Sequence, residues 1–141
     1  MALLAVEHLK KHFPVTGGVF LRRTGTVHAL DGVSFFLDRG ETLGIVGESG
    51  CGKTTLGRCV MGLYPPTSGD VRINGESLSG MDRKRKKSLA LKLQMIFQDP
   101  YESLDPRQTV KEILEEKFII HNSRPDDLSE RILALIDQVG L

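Results

Sequence analysis

The stretch GESGCGKTT, residues 47–55, decides the fold of this chain. It matches the pattern G-x-x-x-x-G-K-[ST], the P-loop, in which successive backbone N–H groups surround the phosphates of a nucleotide. An apolar run, residues 42–46, precedes it, and a helix-compatible run, residues 54–63, follows it. Because buried parallel strands are short and apolar, this order predicts a strand, a glycine-rich turn and a helix. That context favours nucleotide binding.

The residue types in this stretch suit a phosphate site. Its glycines lack a Cβ, which permits unusual backbone angles and a close approach of the main chain to a ligand. The N-terminus of the following helix adds unsatisfied N–H donors and the positive end of the helix dipole. Lys53 can reach the β- and γ-phosphates, and the Thr54 hydroxyl can bind Mg²⁺. A glycine-rich turn that binds nothing is the alternative. The residues predicted to bind the cofactor here are Gly47, Glu48, Ser49, Gly50, Cys51, Gly52, Lys53, Thr54 and Thr55.

Composition and charge exclude several classes of protein. A length of 141 residues suggests one domain, and a net charge of +1 gives no overall field that favours nucleic acid or an anionic membrane. No apolar run approaches the ~20 residues of a membrane span, and we expect no signal peptide. Cys51 and Cys59 are the only cysteines, which fits a reducing compartment without a disulfide framework. The four histidines are scattered in sequence, so we expect no zinc site.

Local patterns predict an antiparallel β unit ahead of the P-loop. Residues 3–13 alternate loosely in hydrophobicity and contain neither glycine nor proline. Residues 26–37 return as a second strand region after a glycine-bearing loop at residues 14–23. Two such runs joined by a turn are typical of an antiparallel pair.

Helix signals follow in the rest of the chain. The helix after the P-loop is predicted over residues 53–63, since Pro65 stops it, and a small strand is expected at residues 71–73. Further helices are predicted over residues 110–120 and 127–139. In the last of these, four apolar residues recur at helical spacing and are expected to face a core: Leu128, Ile132, Leu135 and Ile136.

A second buried strand is predicted at residues 93–97, LQMIF, and Pro100 ends it. Open α/β sheets place ligand groups at the carboxyl ends of their parallel strands. Gln98, at this end, is therefore a candidate for the region of Mg²⁺ and the attacking water. A polar residue that merely ends a strand is an equal alternative.

Residues 83–87 are five basic residues in a row. Such a run is found in nucleic-acid patches, but also in solvated segments that lead into the next element. No stacking aromatic residues interleave it, and the net charge of the chain is near zero. The solvated segment is therefore favoured, and no nucleic-acid partner is expected.

Three stretches make the chain resemble the ATP-binding subunits of ABC transporters, in particular those of oligopeptide and dipeptide importers. They are LKKHFPV at residues 9–15 with the glycine-bearing loop after it, GESGCGKTTLGR at residues 47–58, and QMIFQDPYESLDPRQTV at residues 94–110. The last is the most specific, because MIFQDP followed by SLDPR resembles the Q-loop of the peptide subclass. The resemblance runs in collinear order over essentially the whole chain.

The resemblance implies an α/β fold with a P-loop NTPase (RecA-like) core, an N-terminal antiparallel β unit and the start of a helical subdomain. Residues 1–105 would be the core with Walker A and Q-loop, and residues 106–141 the beginning of the helical subdomain. ATP and Mg²⁺ are the implied cofactors. Phe13 would stack on adenine, although an aromatic residue in this place is also often part of a core. Lys53 and Gln98 would be the catalytic residues, and Thr54 and Gln98 the Mg²⁺ ligands.

The implied partners are transmembrane permease subunits and a second ATP-binding subunit, at the cytoplasmic face of the cell membrane. The sequence departs from the family in one large respect: it contains no LSGGQ-type signature, no Walker B strand and no switch histidine. LSGM at residues 78–81 lies before the Q-loop and lacks the second glycine and the glutamine. We expect a truncated ATPase that binds nucleotide weakly, does not turn ATP over alone and associates with itself through uncovered sheet edges.

Two other classes of function use the same loop. A P-loop nucleotide or small-molecule kinase would need an arginine-bearing lid and no preceding antiparallel unit. A non-catalytic interaction module would dock a partner on its helical segment and hold nucleotide for structural reasons. The Q-loop stretch argues against the kinase, and the Mg²⁺ dependence of nucleotide affinity would separate the module from the ATPase.

Overall fold

The computed structural model describes residues 2–17, 22–99 and 101–140, without the side chains of Arg22, Arg23 and Glu102. The chain divides into two compact units, Met1–Met95 and Ile96–Leu141. The boundary predicted between residues 105 and 106 falls within the second unit, and it stays a prediction of the sequence.

An antiparallel sheet forms the frame of the first unit. Strand β1, Leu4–Gly17, pairs with β2, Arg22–Leu37, on one side and with β3, Ser68–Ile73, on the other. A two-residue strand β4, Glu76–Ser77, completes the described order β2-β1-β3-β4. The predicted antiparallel unit ahead of the P-loop is confirmed. Both strands are longer than expected, so the predicted loop at residues 14–23 is shorter, and its residues 18–21 lie outside the described residues.

The β1–β2 pair contains a β-bulge next to the P-loop. Lys11 lies opposite Leu30, but the next residue of β1, His12, lies opposite His28. Ala29 is therefore an extra residue on β2 with no partner of its own. A bulge of this kind bends the strand and changes which side chains share a face.

The helix after the P-loop, α1, is Lys53–Val60. Its Leu56 and Cys59 are buried in the core of this unit, three residues apart on one face of the helix. Burial raises the pKa of the Cys59 thiol, which therefore stays a neutral packing group. The core side chains exposed by less than a tenth are Val6, Leu9, Leu30, Leu56, Cys59, Val71, Ile73 and Leu78. This packing fixes the start of α1 against the sheet.

The two predicted parallel strands are not formed. Residues 42–46 and 93–97 have no strand structure, and Val46 and Ile96 are each 94% exposed. A short parallel strand exists only where neighbours supply hydrogen bonds on both sides and helices cover its faces. Within the described residues no strand lies beside either segment. The two segments that would form parallel strands of the RecA-like core are therefore present without strand structure.

The basic run lies on helix α2, Arg83–Ala90, where a strand-leading segment was expected. The Asp82 side chain caps this helix by accepting a hydrogen bond from the Arg85 backbone N–H at 2.7 Å. Apart from the half-buried Leu89, its residues are exposed. The run is therefore a solvated helix face.

The second unit contains a short 3₁₀ turn, Tyr101–Ser103, and the helices α3, Val110–Ile120, and α4, Leu128–Gln138. Thr109 and Glu112 form a reciprocal capping box at the start of α3. On α4, Leu128 and Ile132 are buried and Ile136 is half-buried, but Leu135 is 39% exposed. The expectation that Leu135 faces a core was wrong, because the buried stripe follows a spacing of four residues. No helix among the described residues combines the length and apolar character that crossing a bilayer requires.

Candidate nucleotide-binding site

The P-loop glycines adopt the backbone angles that the motif predicts. Gly50 has a φ of 83° and Gly52 a φ of 98°, a region in which a side chain is strained. Gly52 is the N-cap residue of α1, and no side chain caps the first turn. The N–H donors at the start of α1 therefore remain available to an anion.

Close packing surrounds two glycines of the loop. A Cβ on Gly52 would collide with the carbonyl oxygen of Ala29, the bulge residue, and would lie 3.2 Å from Leu30 Cδ2. A Cβ on Gly47 would lie 2.6 Å from Cys51 Sγ. The loop is thus shaped by the strand behind it as well as by its own sequence.

Lys53 folds back over the loop that precedes it. Its Nζ donates hydrogen bonds to the carbonyl oxygens of Gly47, at 2.6 Å, and Glu48, at 2.7 Å, and lies 3.5 Å from Cys51 Sγ. The loop closes with a turn in which the Cys51 N–H donates to the Glu48 carbonyl at 3.3 Å. A positive charge is therefore held at the loop by neutral carbonyl partners, which a phosphate oxygen can replace because a hydrogen bond between two charged groups is stronger still.

The remaining loop residues are accessible. Glu48, Ser49 and Thr54 are exposed and Thr55 is half-buried. The Thr54 hydroxyl is on the first turn of α1, where the motif predicts the Mg²⁺ ligand. Glycines at positions of close packing, an uncapped helix start and the Lys53 ammonium beside the loop together fit the phosphate groups of a nucleotide.

Phe13 lies near the middle of the β1–β2 pair, opposite Val27, and is half-buried. The rings of Phe13 and Tyr64 form an edge-to-face pair, with 5.6 Å between their centroids and 79° between their planes. The Nζ of Lys11 lies 5.0 Å from the centroid of the Phe13 ring. The Tyr64 hydroxyl accepts a hydrogen bond from Arg58 Nη1 at 2.9 Å. Sequence reasoning assigned no role to Lys11, although it lies in the LKKHFPV stretch, and it did not find Tyr64, which belongs to no motif.

Gln98 belongs to the second unit, where it is exposed and lies outside regular structure, before the 3₁₀ turn. Nearby, the Asp99 side chain accepts a hydrogen bond from the Tyr101 N–H at 2.9 Å. The P-loop belongs to the first unit, so a shared Mg²⁺ site of Thr54 and Gln98 stays a prediction.

A family model described as ABC transporter matches residues 30–141. The chain belongs to the ABC transporter family. Over 141 residues it is 46% identical to the oligopeptide transport ATP-binding protein AppF of Bacillus subtilis (strain 168), with 99% of this chain and 43% of AppF covered. The dipeptide transport ATP-binding protein DppF of Escherichia coli (strain K12) is 46% identical over 99% of this chain and 42% of its own length.

Solved structures confirm the fold of an ABC cassette. The ATP-binding cassette MJ0796, in a dimeric structure with ADP and Pi, aligns with a TM-score of 0.74 at 21% identity, over 98% of this chain and 57% of its own. CbiO1 from Clostridium perfringens aligns with a TM-score of 0.69 at 24% identity, over 99% of this chain and 51% of its own. This ABC family chain spans less than half the length of the curated relatives AppF and DppF.

Proposed function

We propose that this chain is the nucleotide-binding part of an ATPase that drives peptide import. The observation that carries the proposal is the P-loop itself, with the Lys53 ammonium bonded to the loop and an uncapped helix start beside it. The peptide class is supported by the names of relatives that are 46% identical across nearly all of the chain. Identity over the whole described length, and not only at the loop, favours this class over a P-loop kinase.

The residues of the loop would bind the phosphates in a defined way. Lys53 would leave the carbonyl oxygens of Gly47 and Glu48 and donate to phosphate oxygens, while the first N–H groups of α1 point at the same anion. Bound Mg²⁺ would neutralise part of the charge on the phosphates. Within the first unit, Thr54 is the residue that would bind this ion, through its hydroxyl. Phe13 would provide a flat apolar surface for adenine.

Sustained hydrolysis needs more than these groups. A residue must orient or deprotonate the attacking water, and Lys53, Thr54 and Gln98 provide only part of that machinery. The sequence patterns that would supply the rest are missing from residues 1–141. We therefore expect the 141-residue chain to bind nucleotide without steady phosphate release. The exposed apolar segments around Val46 and Ile96 support self-association of the 141-residue chain.

The proposed partners are membrane permease subunits and a second ATP-binding subunit, with the protein bound peripherally at the cytoplasmic face of the membrane. Gln98 and the 3₁₀ turn after it would couple the nucleotide state to the permease. In this proposal the P-loop binds the nucleotide, and the second unit transmits the nucleotide state to the permease.

Deletion of the gene that encodes this chain tests the transport proposal. Uptake of a radiolabelled di- or oligopeptide should fall in the deletion strain, while uptake of a labelled sugar stays the same. In a transporter reconstituted with the full-length parent protein, Gln98→Ala should uncouple ATP hydrolysis from uptake, so that less peptide is imported for each ATP hydrolysed. Normal peptide uptake in the deletion strain, together with ATP binding by the purified chain, would reject peptide import while leaving the nucleotide site intact.

A further inference from the structure

Three possible metal ligands meet on the β1–β2 pair, outside the nucleotide site. The imidazole rings of His12 and His28 stack with their centroids 4.0 Å apart and their planes at 27°. The Oδ1 of Asp31 lies 3.9 Å from His12 Nε2. One ligand atom from each of the three residues lies within 4.8 Å of the others.

The β-bulge at Ala29 is what brings these residues together. His12 and His28 are direct cross-strand partners, whose side chains lie on the same face of the sheet. In a regular strand, residues 28 and 31 would point to opposite faces. Because Ala29 is the extra residue, Asp31 pairs with Lys10, and Lys10 shares a face with His12. All three ligands thus fall on one face.

One buried nitrogen of this cluster has no hydrogen-bond partner in the part of the chain that the structure describes, although buried polar atoms normally have one. The Nε2 of His12 is shielded from solvent and has no hydrogen-bond partner among the described residues. Buried polar nitrogens are almost always paired, so such an atom calls for an explanation. A bound cation would supply the missing partner, because a neutral imidazole nitrogen is a good metal ligand.

We propose that His12, His28 and Asp31 form a binding site for a transition-metal dication, with Zn²⁺ the best match. Two imidazole nitrogens and one carboxylate oxygen are ligands that Zn²⁺ accepts, with a fourth position open to water. Ligand atoms around tetrahedral Zn²⁺ lie about 3.3 Å apart for metal–ligand distances near 2.0–2.1 Å. His28 and Asp31 are exposed and can turn inward by rotation of their side chains.

Lys10 is the competitor for this site. Its Nζ forms a salt bridge of 2.8 Å with Asp31 Oδ1, so a metal ion must displace an ammonium from that carboxylate. The Lys10 side chain is 43% exposed and can move into solvent. Removal of the Lys10 charge should therefore raise the affinity of the site for the metal ion. A variant that merely loses structure would bind the ion less tightly instead.

Titration of the untagged, nucleotide-free chain with ZnCl₂ by calorimetry tests the site. We expect one Zn²⁺ per chain, at least about tenfold weaker binding for His28→Ala and Asp31→Asn, and tighter binding for Lys10→Gln. His28 is exposed, so its variant should keep the fold, which far-ultraviolet circular dichroism checks. His8→Asn is the matched control: His8 is an exposed histidine of β1 with a φ of 46°, a conformation that asparagine tolerates.

Two further measurements identify the ligands directly. On addition of Zn²⁺, the ring resonances of His12 and His28 should shift in NMR spectra, while those of His8 and His121 do not. Co²⁺ should bind without a thiolate charge-transfer band, since Cys51 and Cys59 are not ligands in this proposal. Absence of saturable Zn²⁺ binding, equal losses for His8→Asn and His28→Ala, or a thiolate band would overturn it.

Discussion

The backbone of Gly52 packs directly against the carbonyl oxygen of Ala29, so the first turn of the P-loop helix touches the bulge of β2. The contact joins the proposed nucleotide site to the strand that contains two of the proposed metal ligands, His28 and Asp31. Gly52 has no side chain at this contact, and Ala29 is the extra residue of the bulge.

Gly52→Ala should destabilise the first unit more than Gly50→Ala does. Both glycines have positive φ, so both variants carry the strain of a left-handed side chain, about 1–2 kcal/mol. Only at Gly52 does the new Cβ also meet the backbone of a neighbouring strand, and such overpacking costs about 1–3 kcal/mol more. Urea denaturation of the two variants measures the difference. Equal midpoints would show that β2 can move away from the loop without cost.

Lys53→Ala should abolish measurable ATP binding while the fold is retained. Hydrogen bonds to charged groups contribute about 1.5–3 kcal/mol each, so affinity should fall by at least about tenfold for each bond lost. The fold should survive because Lys53 is exposed and bonds only to carbonyl oxygens of its own loop. Calorimetric titration with MgATP measures the loss, and Lys92→Ala, an exposed lysine of the same unit, is the control. An unchanged affinity would remove the P-loop interpretation.

Phe13→Ala should weaken binding of ATP and leave binding of inorganic triphosphate nearly unchanged. Stacking of a base on an aromatic ring contributes about 1–3 kcal/mol, whereas triphosphate has no base. Tyr64→Phe keeps the ring that pairs with Phe13 and removes only the hydroxyl bonded to Arg58, so it should affect neither ligand. Similar losses for both ligands in Phe13→Ala would assign Phe13 to packing.

The stability of the first unit should fall at acid pH through Asp70. Partial burial acts to raise the pKa of this carboxyl, but hydrogen bonds from Ser77 Oγ at 2.6 Å, from Arg72 and from the Val71 N–H outweigh it and hold the pKa below its ordinary value. A depressed pKa stabilises the fold above the unfolded pKa, and the contribution is lost as pH falls through the folded one. The loss should therefore begin near pH 5 and continue below the ordinary carboxyl range.

Asp70→Asn isolates this contribution. The variant should be less stable than the parent by about 1–2 kcal/mol at pH 7, and the difference should be smaller at pH 3, because the carboxylate contribution is lost as the pH falls towards the depressed pKa of the folded state. Urea midpoints at the two pH values measure it, with Asp38→Asn in the turn after β2 as the control. A difference that does not change with pH would mean that the carboxylate charge of Asp70 plays no part.

Local signals in the sequence were enough for much of this fold. Loose alternation predicted β1, a second apolar run after a glycine-bearing loop predicted β2, and Pro65 marked the stop of the helix after the P-loop. The glycine pattern predicted the P-loop. The strands expected at residues 42–46 and 93–97 failed because a parallel strand depends on distant neighbours that local hydrophobicity does not encode.

The arrangement on the β1–β2 pair was beyond sequence reasoning for a different reason. His12 and His28 are far apart in sequence, and the four histidines gave no pattern of metal ligands. Their meeting depends on a bulge at Ala29, and an alanine carries no signal for a bulge. The contact of Phe13 with Tyr64 likewise joins a strand to the segment after α1, two parts of the chain that no motif connects.

The segment at residues 42–46, which has no strand structure, also predicts a pattern of amide hydrogen–deuterium exchange in the first unit. Within the described residues no backbone hydrogen bond holds these amides, so they should exchange at nearly the rate of an unstructured peptide. The amides of β1, bonded to β2 on one side and β3 on the other, should exchange last. Slowed exchange at residues 42–46 would then be a direct record of a neighbouring strand being added beside them.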